Sequence, residues 1–185
     1  TIYYYFEIRS NEERLFYNKL SVTDNLQDCY AFRIIPGFAT PDWAKGAVMY
    51  QIYVDRFCNG DSTNDVLTGE YSYIHKQVEQ VKDWSAPPEG MDVRRFYGGD
   101  LQGILDKLDY LQDLGVEVIY MNPIFVSPSN HKYDCQDYDY IDPHYTVIKE
   151  DGGDLLPPGE LDNTKATKYI KRVVSKENLE ASNEF

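Results

Sequence analysis

Apolar and aromatic positions fall into two regimes, with the change near residue 40. In the first, "TIYYYFEIR" and "CYAFRII" are rich in aromatic and β-branched residues, which reads as strands, around the polar stretch "SNEERLFYNKLSVTDNLQD". Two or three such strands cannot bury a core alone, so residues 1 to about 37 are expected to belong to a larger β layer. Pro36, Gly37 and Pro41 then mark a linker. Beyond Trp43, "AVMYQIYVDRF" is a near-continuous apolar run, as expected of a strand covered on both faces. A long polar region from Cys58 to Phe96 follows, with "SAPPEG" as a turn. Leu101, Ile104, Leu105, Leu108, Leu111 and Leu114 then recur at helical spacing, with Asp100 placed to cap that helix and Gly115 to end it. "VEVIYMNPIF" predicts a second buried strand, stopped by Pro123. Strand, helix and strand make a βαβ unit, so the two strands are expected to be parallel with a right-handed crossover. In α/β folds of this kind the loops after the C-terminal ends of the strands carry the chemistry. Past Tyr145 the pattern weakens, and "TKATKYIKRVVS" predicts a short helix.

Charge narrows the range of partners. A net charge of -13 argues against nucleic acid or an anionic membrane surface, both of which need a basic patch. It suits neutral ligands and bound cations. No apolar run approaches the roughly 18 residues that span a bilayer. The three cysteines, Cys29, Cys58 and Cys135, are far apart and form no CxxC pair, which argues against a disulfide framework or a zinc site. The 17 tyrosines suit sugar recognition, since the ring both stacks and hydrogen-bonds, but tyrosine also simply fills strands. The chain opens at Thr1 in what reads as a strand, with no signal peptide or initiator methionine. The start is therefore expected to be a cut inside a larger protein, and the compartment is not legible.

The stretch "FCNGDSTND" holds Asn59, Asp61, Asn64 and Asp65 within seven residues. As an EF-hand it fails: position one is Asn59 rather than aspartate, position six is Asn64 rather than glycine, and a strand precedes it. Calcium wants six to eight oxygens, more than a short loop supplies unaided. A second donor is available in "YGGD", where the glycines allow close backbone approach and Asp100 adds a carboxylate. Spacing alone leaves two readings open: a cage closed by this second turn, or an ordinary turn beside a helix cap.

Three motifs, "GAVMYQIYVDRFCNGDSTND", "YGGDLQGILDKLDYLQDLGVEVIYMNPIF" and "SPSNHKYDCQDYDYIDPHY", resemble the α-amylase family, glycoside hydrolase family 13. The nearest branch is that of neopullulanase, cyclomaltodextrinase and maltogenic amylase. The resemblance runs from about Pro41 to Tyr145. It implies an α/β fold class: the first strands and helix of a (β/α)8 TIM barrel over residues 39–185, preceded over residues 1–38 by the last strands of a β-sandwich. It implies a Ca2+ ion held by Asn59, Asp61, Asn64, Asp65, the Gly98 carbonyl and Asp100. It also implies that Tyr133 stacks on a sugar ring beside the scissile bond, that His131 hydrogen-bonds its hydroxyls, and that Asp137 orients both.

The activity implied is retaining hydrolysis of α-1,4 bonds in maltodextrin, cyclodextrin or pullulan. That chemistry needs a carboxylate nucleophile and a carboxylic acid. The family takes these from barrel strands four and five, with a further aspartate from strand seven. Only strands one and two are expected here, so Asp134, Asp137, Asp139 and Asp142 match none of those roles. The chain alone is expected to be inactive, and either to associate with itself or with the rest of the enzyme through unpaired sheet edges or to be marginally stable. The alternative is a non-catalytic carbohydrate- or calcium-binding fragment.

Overall fold

Aromatic packing organises the first 46 residues. The strands there are β1 (Ile2–Tyr4), β2 (Phe6–Ser10), β3 (Glu13–Tyr17), β4 (Val22–Thr23) and β5 (Phe32–Ile34). "TIYYYFEIR" does not form one strand. It breaks at Tyr5: β1 pairs antiparallel with β5, whereas β2 pairs antiparallel with β3, which in turn pairs with β4. The break lets rings from both pairings meet. The Tyr4 and Tyr17 rings lie 5.3 and 5.4 Å from that of Phe32, and Phe6 stacks 6.1 Å from Tyr17. "CYAFRII" begins as a 3-10 turn over Asp28–Tyr30 and becomes strand only at Phe32. Phe16 and Ala31 are the buried apolar residues of this unit, too few for a core of its own. The computed structural model of the protein describes residues 1–11, 13–90 and 92–185. They divide into two compact units, Thr1–Gly46 and Ala47–Phe185.

In the second unit, β6 (Met49–Ile52) leads into a 3-10 turn over Val54–Arg56. A hairpin of β7 (Ser72–Tyr73) and β8 (Lys76–Gln77) follows, then β9 (Glu79–Gln80) and β10 (Arg95–Phe96), which pair parallel. Next come α1 (Leu101–Asp106), α2 (Leu108–Asp113), β11 (Val118–Met121), β12 (Phe125–Val126), β13 (Asp137–Ile141), α3 (Thr167–Tyr169) and α4 (Lys176–Glu184). β11 pairs parallel with β6, from Met49↔Val118 to Ile52↔Met121, and β12 pairs antiparallel with β13. The expected parallel strand–helix–strand unit is present. Burial on both faces is not: Ile52 is covered, but Met49 is 58% and Tyr120 60% exposed, because β6 and β11 form a two-stranded sheet.

The helix expected over 101–114 is interrupted at Lys107, whose φ of -107° and ψ of 9° leave the helical region. The start and stop signals act as predicted. Asp100 accepts a hydrogen bond from the Gly103 amide, and Gly115, at φ 84°, follows the last turn. The buried stripe is narrower than the leucine pattern. Ile104 and Leu111 pack with Ile52, Val54 and Tyr145, with Leu101 half-buried beside them, while Leu105, Leu108 and Leu114 stay exposed. A second cluster of Val66, Tyr71, Val78, Phe96, Leu156 and Ala166 lies beneath the long loop. The expected late helix is α3, which widens into a π-helical turn over Ile170–Val174. No helix is long and apolar enough to cross a membrane among the described residues.

Candidate functional site

Two turns separated by about forty residues meet at the start of α1. Asp100 holds them together. Its Oδ1 accepts from the amides of Gly60 at 3.0 Å and Gly103 at 2.6 Å; its Oδ2 accepts from the Asp61 amide at 2.8 Å and Asn64 Nδ2 at 3.1 Å. The Asp100 amide in turn donates to the Cys58 carbonyl at 3.0 Å. The contact leaves no room for side chains. A Cβ on Gly103 would run into the Cys58 carbonyl, and one on Gly60 into the Gly103 amide.

Of the six candidate metal ligands, five converge. Asn59 Nδ2 donates to Asp65 Oδ1 at 2.7 Å, and Gly98, at φ 83°, backs onto that same pair of atoms. Asn64 and Asp100 are fully buried, and Asn64 Oδ1 has no hydrogen-bond partner. A buried acceptor left unpaired costs about 1–3 kcal/mol, so this orphan oxygen is one that a donor or a cation would stabilise. Burial pushes the Asp65 carboxyl above its ordinary range, and the neighbouring Asp100 adds to this, against opposing hydrogen bonds from Asn59 and Gln80. Asp61 does not join by its side chain. Its Oδ1 turns back to the Thr63 amide at 2.9 Å and hydroxyl at 2.6 Å, a local turn that competes with any longer reach. No group of three or more histidine, cysteine, aspartate or glutamate side chains is placed to hold a metal among the described residues. Amide and carbonyl oxygens would have to contribute to such a set.

The third loop, between β12 and β13, presents His131 and Tyr133. The Tyr133 ring is 59% exposed, and its centroid lies 6.0 Å from that of His131. His131 Nδ1 lies 3.1 Å from Ser129 Oγ and accepts from the Tyr133 amide at 3.1 Å. The carboxylate behind this loop is Asp134, which accepts from the hydroxyls of Ser127 at 2.6 Å, of Tyr73 at 2.5 Å and of Ser129. Asp137, expected to orient both rings, is the first residue of β13 and accepts from the Asp139 amide at 2.8 Å. Asp134, within the tight loop, has the shorter reach.

A buried set of charges lies under both loops, and sequence reasoning missed it. Lys132 Nζ pairs with Asp142 Oδ2 at 2.5 Å, and His144 bridges Asp142 Oδ1 at 3.1 Å and Glu70 Oε1 at 2.8 Å. Arg172 pairs with Glu70 Oε2 at 2.6 Å and donates to the carbonyls of Asp65 and Thr63, each at 2.9 Å. Burial alone would push Asp142 and Glu70 up. Lys132 and His144 hold Asp142 well below its usual range, and His144 and Arg172 lower Glu70. Burial pushes His144 down, but its two carboxylates outweigh it and raise it. The only sequence signal was a lysine and a histidine in stretches read as loop and an arginine in the stretch read as a short helix.

A sequence model of the alpha-amylase catalytic domain matches residues 51–155, from β6 through both loops. The chain belongs to the alpha-amylase family. It is 43% identical over 164 residues to an amylopullulanase of Thermoanaerobacter thermohydrosulfuricus, covering 76% of this chain and 11% of that one. It is 47% identical over 108 residues to a cyclomaltodextrinase of Thermoanaerobacter pseudethanolicus, covering 58% of this chain and 16% of that one. The solved type III pullulan hydrolase from Thermococcus kodakarensis superposes with a TM-score of 0.53 at 35% identity, over 71% of this chain and 25% of that one. The chain thus spans a minor part of each relative's length. Membership implies a TIM-barrel enzyme as the setting for this mixed α/β chain, within the branch that contains cyclomaltodextrinases, maltogenic amylases and neopullulanases.

Proposed function

We propose that the protein to which this chain belongs hydrolyses α-1,4-glucosidic bonds in maltodextrin, cyclodextrin or pullulan with retention of configuration. The observation that carries this is the family match across residues 51–155. The names of the relatives support the substrate class: amylopullulanase, cyclomaltodextrinase, pullulan hydrolase. In this reading β6, α1–α2 and β11 are the first strand, helix and second strand of the barrel. Residues 1–38 close a preceding β-sandwich, and the catalytic carboxylates lie outside the chain. Tyr133 covers the apolar face of a sugar ring and His131 reads its hydroxyls.

Calcium belongs to the same proposal. The donors are hard oxygens, as calcium requires. They are the orphan Asn64 Oδ1, the Asp65 carboxylate, the Asn59 amide, the Gly98 carbonyl and Asp100. Rotating the Asn59 amide would turn its oxygen toward Asp65, an arrangement of two acceptors that a cation between them would stabilise. When bound, the ion would neutralise buried carboxylate charge. The residues themselves pin the loop after β6 to the turn before α1, beside the third loop.

The complete protein should release reducing sugar from maltotriose or pullulan with the α-anomer formed first, as followed by proton NMR. The 185-residue chain alone should release none. A β-anomer product would overturn retention, and no hydrolysis by the complete protein would favour the non-catalytic alternative.

A further inference from the structure

We propose that Lys132 is a positioning residue: its buried ammonium group holds the loop backbone that presents His131 and Tyr133. The inference rests on the glucan-hydrolase reading above for its functional consequence, but its geometric content stands apart from it.

Lysine is almost never fully buried, yet Lys132 is 0% exposed between a half-buried His131 and an exposed Tyr133. Its backbone sits at φ 61°, in the left-handed region that costs a residue with a Cβ of order 1–3 kcal/mol. Both costs need compensation, and the surroundings supply it. Nζ pairs with Asp142 Oδ2 at 2.5 Å, donates to the Ser127 carbonyl at 3.0 Å, and lies 4.9 Å from the centre of the Tyr145 ring and 5.8 Å from that of Phe96. The Lys132 amide donates to Ser129 Oγ at 3.1 Å, and the same hydroxyl lies 3.1 Å from His131 Nδ1. One side chain drawn inward, with its backbone turned left-handed, thus leaves Tyr133 exposed on one side and His131 half-buried on the other.

The anchor is itself held. Asp142 also contacts His144, His144 contacts Glu70, and Glu70 pairs with Arg172, which donates to the backbone of the 59–65 loop. Breaking a buried pair by removing one partner leaves an uncompensated charge. A clean test therefore needs both charges removed together.

The experiment uses the complete protein carrying Lys132→Met, the paired change Lys132→Met with Asp142→Asn, Tyr133→Ala, and the combination of the paired change with Tyr133→Ala. Hydrogen–deuterium exchange should show faster uptake confined to residues 127–136 in both Lys132 variants. The value of kcat/KM on maltotriose should fall on the order of a hundredfold, the scale of a misplaced binding group. Tyr133→Ala should then add little in the background of the paired change, whereas a lysine that merely stabilised the fold would leave the full Tyr133→Ala loss intact. Unchanged exchange at 127–136 in the paired variant, or full additivity with Tyr133→Ala, would overturn the proposal. Faster local exchange without hydrolysis by the parent protein would leave the anchor standing and remove the glucan reading.

Discussion

At Tyr133 the ring is presented with little burial and a backbone amide tied to His131, so its truncation should cost contact with substrate rather than folding. Tyr133→Ala in the complete protein should lower kcat/KM on maltotriose about tenfold, roughly 1.4 kcal/mol, with little change in melting temperature. An unchanged kcat/KM would remove the stacking role. The neighbouring aspartates give a sharper comparison. Asp134 collects three hydroxyl donors from behind the loop, while Asp137 only caps the amide of Asp139. Asp134→Asn should therefore impair turnover more than Asp137→Asn, measured as kcat/KM on the same substrate. Spacing from the tyrosine could not separate the two. Both lie within four residues of it, and only the start of β13 decides which one faces the loop.

At the level of elements, the junction of the 58–65 loop with the start of α1 depends on glycine. A Cβ on Gly103 would collide with the Cys58 carbonyl, which is backbone and cannot swing away. Gly103→Ala should destabilise by about 1–3 kcal/mol, the usual cost of overpacking, against the modest gain alanine brings to a helix. A thermal melt lowered by several degrees would show this. At the same junction the calcium proposal makes its own prediction. Added calcium should raise the melting temperature, a chelator should reverse that rise, and Asp65→Asn should abolish it. A chelator-insensitive melt in the unaltered protein would sink the calcium assignment. Asp100 is a poorer probe, because its carboxylate already receives four N–H donors, and its loss would open the junction with or without an ion.

For the molecule as a whole, the buried charges predict how stability varies with pH. His144 is raised above its ordinary value of 6.5 by Glu70 and Asp142. Its contribution is therefore complete below about pH 6.5 and is lost as pH rises through the raised folded value. Glu70 and Asp142 are lowered, so theirs is present above the ordinary carboxylate range near 4 and is lost on acidification. Between those limits Lys132, Asp142, His144, Glu70 and Arg172 are all charged and paired. Urea melts of the complete protein from pH 6 to 9 should show a decline that His144→Gln flattens; an identical slope in that variant would count against the linkage. The exposed Met49, Tyr120 and Met121 on β6 and β11 predict that the 185-residue chain alone self-associates, which sedimentation at two concentrations would reveal.

The linear pattern was enough to determine the parallel pair of strands, the capped helix between them and the gathering of oxygen-bearing residues after β6. Those features arise from local periodicity, turn chemistry and recognisable motifs. The break at Tyr5, the interruption at Lys107 and the exposure of three helix leucines were decided by what each segment packs against. So was the gathering of three hydroxyl donors on Asp134. The buried relay was least legible. Glu70, Lys132, His144 and Arg172 are separated by up to about a hundred residues, and a charged side chain carries no sign in sequence of whether it meets water or a partner. Only the folded chain brings the opposite charges within hydrogen-bonding distance, where their mutual attraction offsets the cost of leaving water.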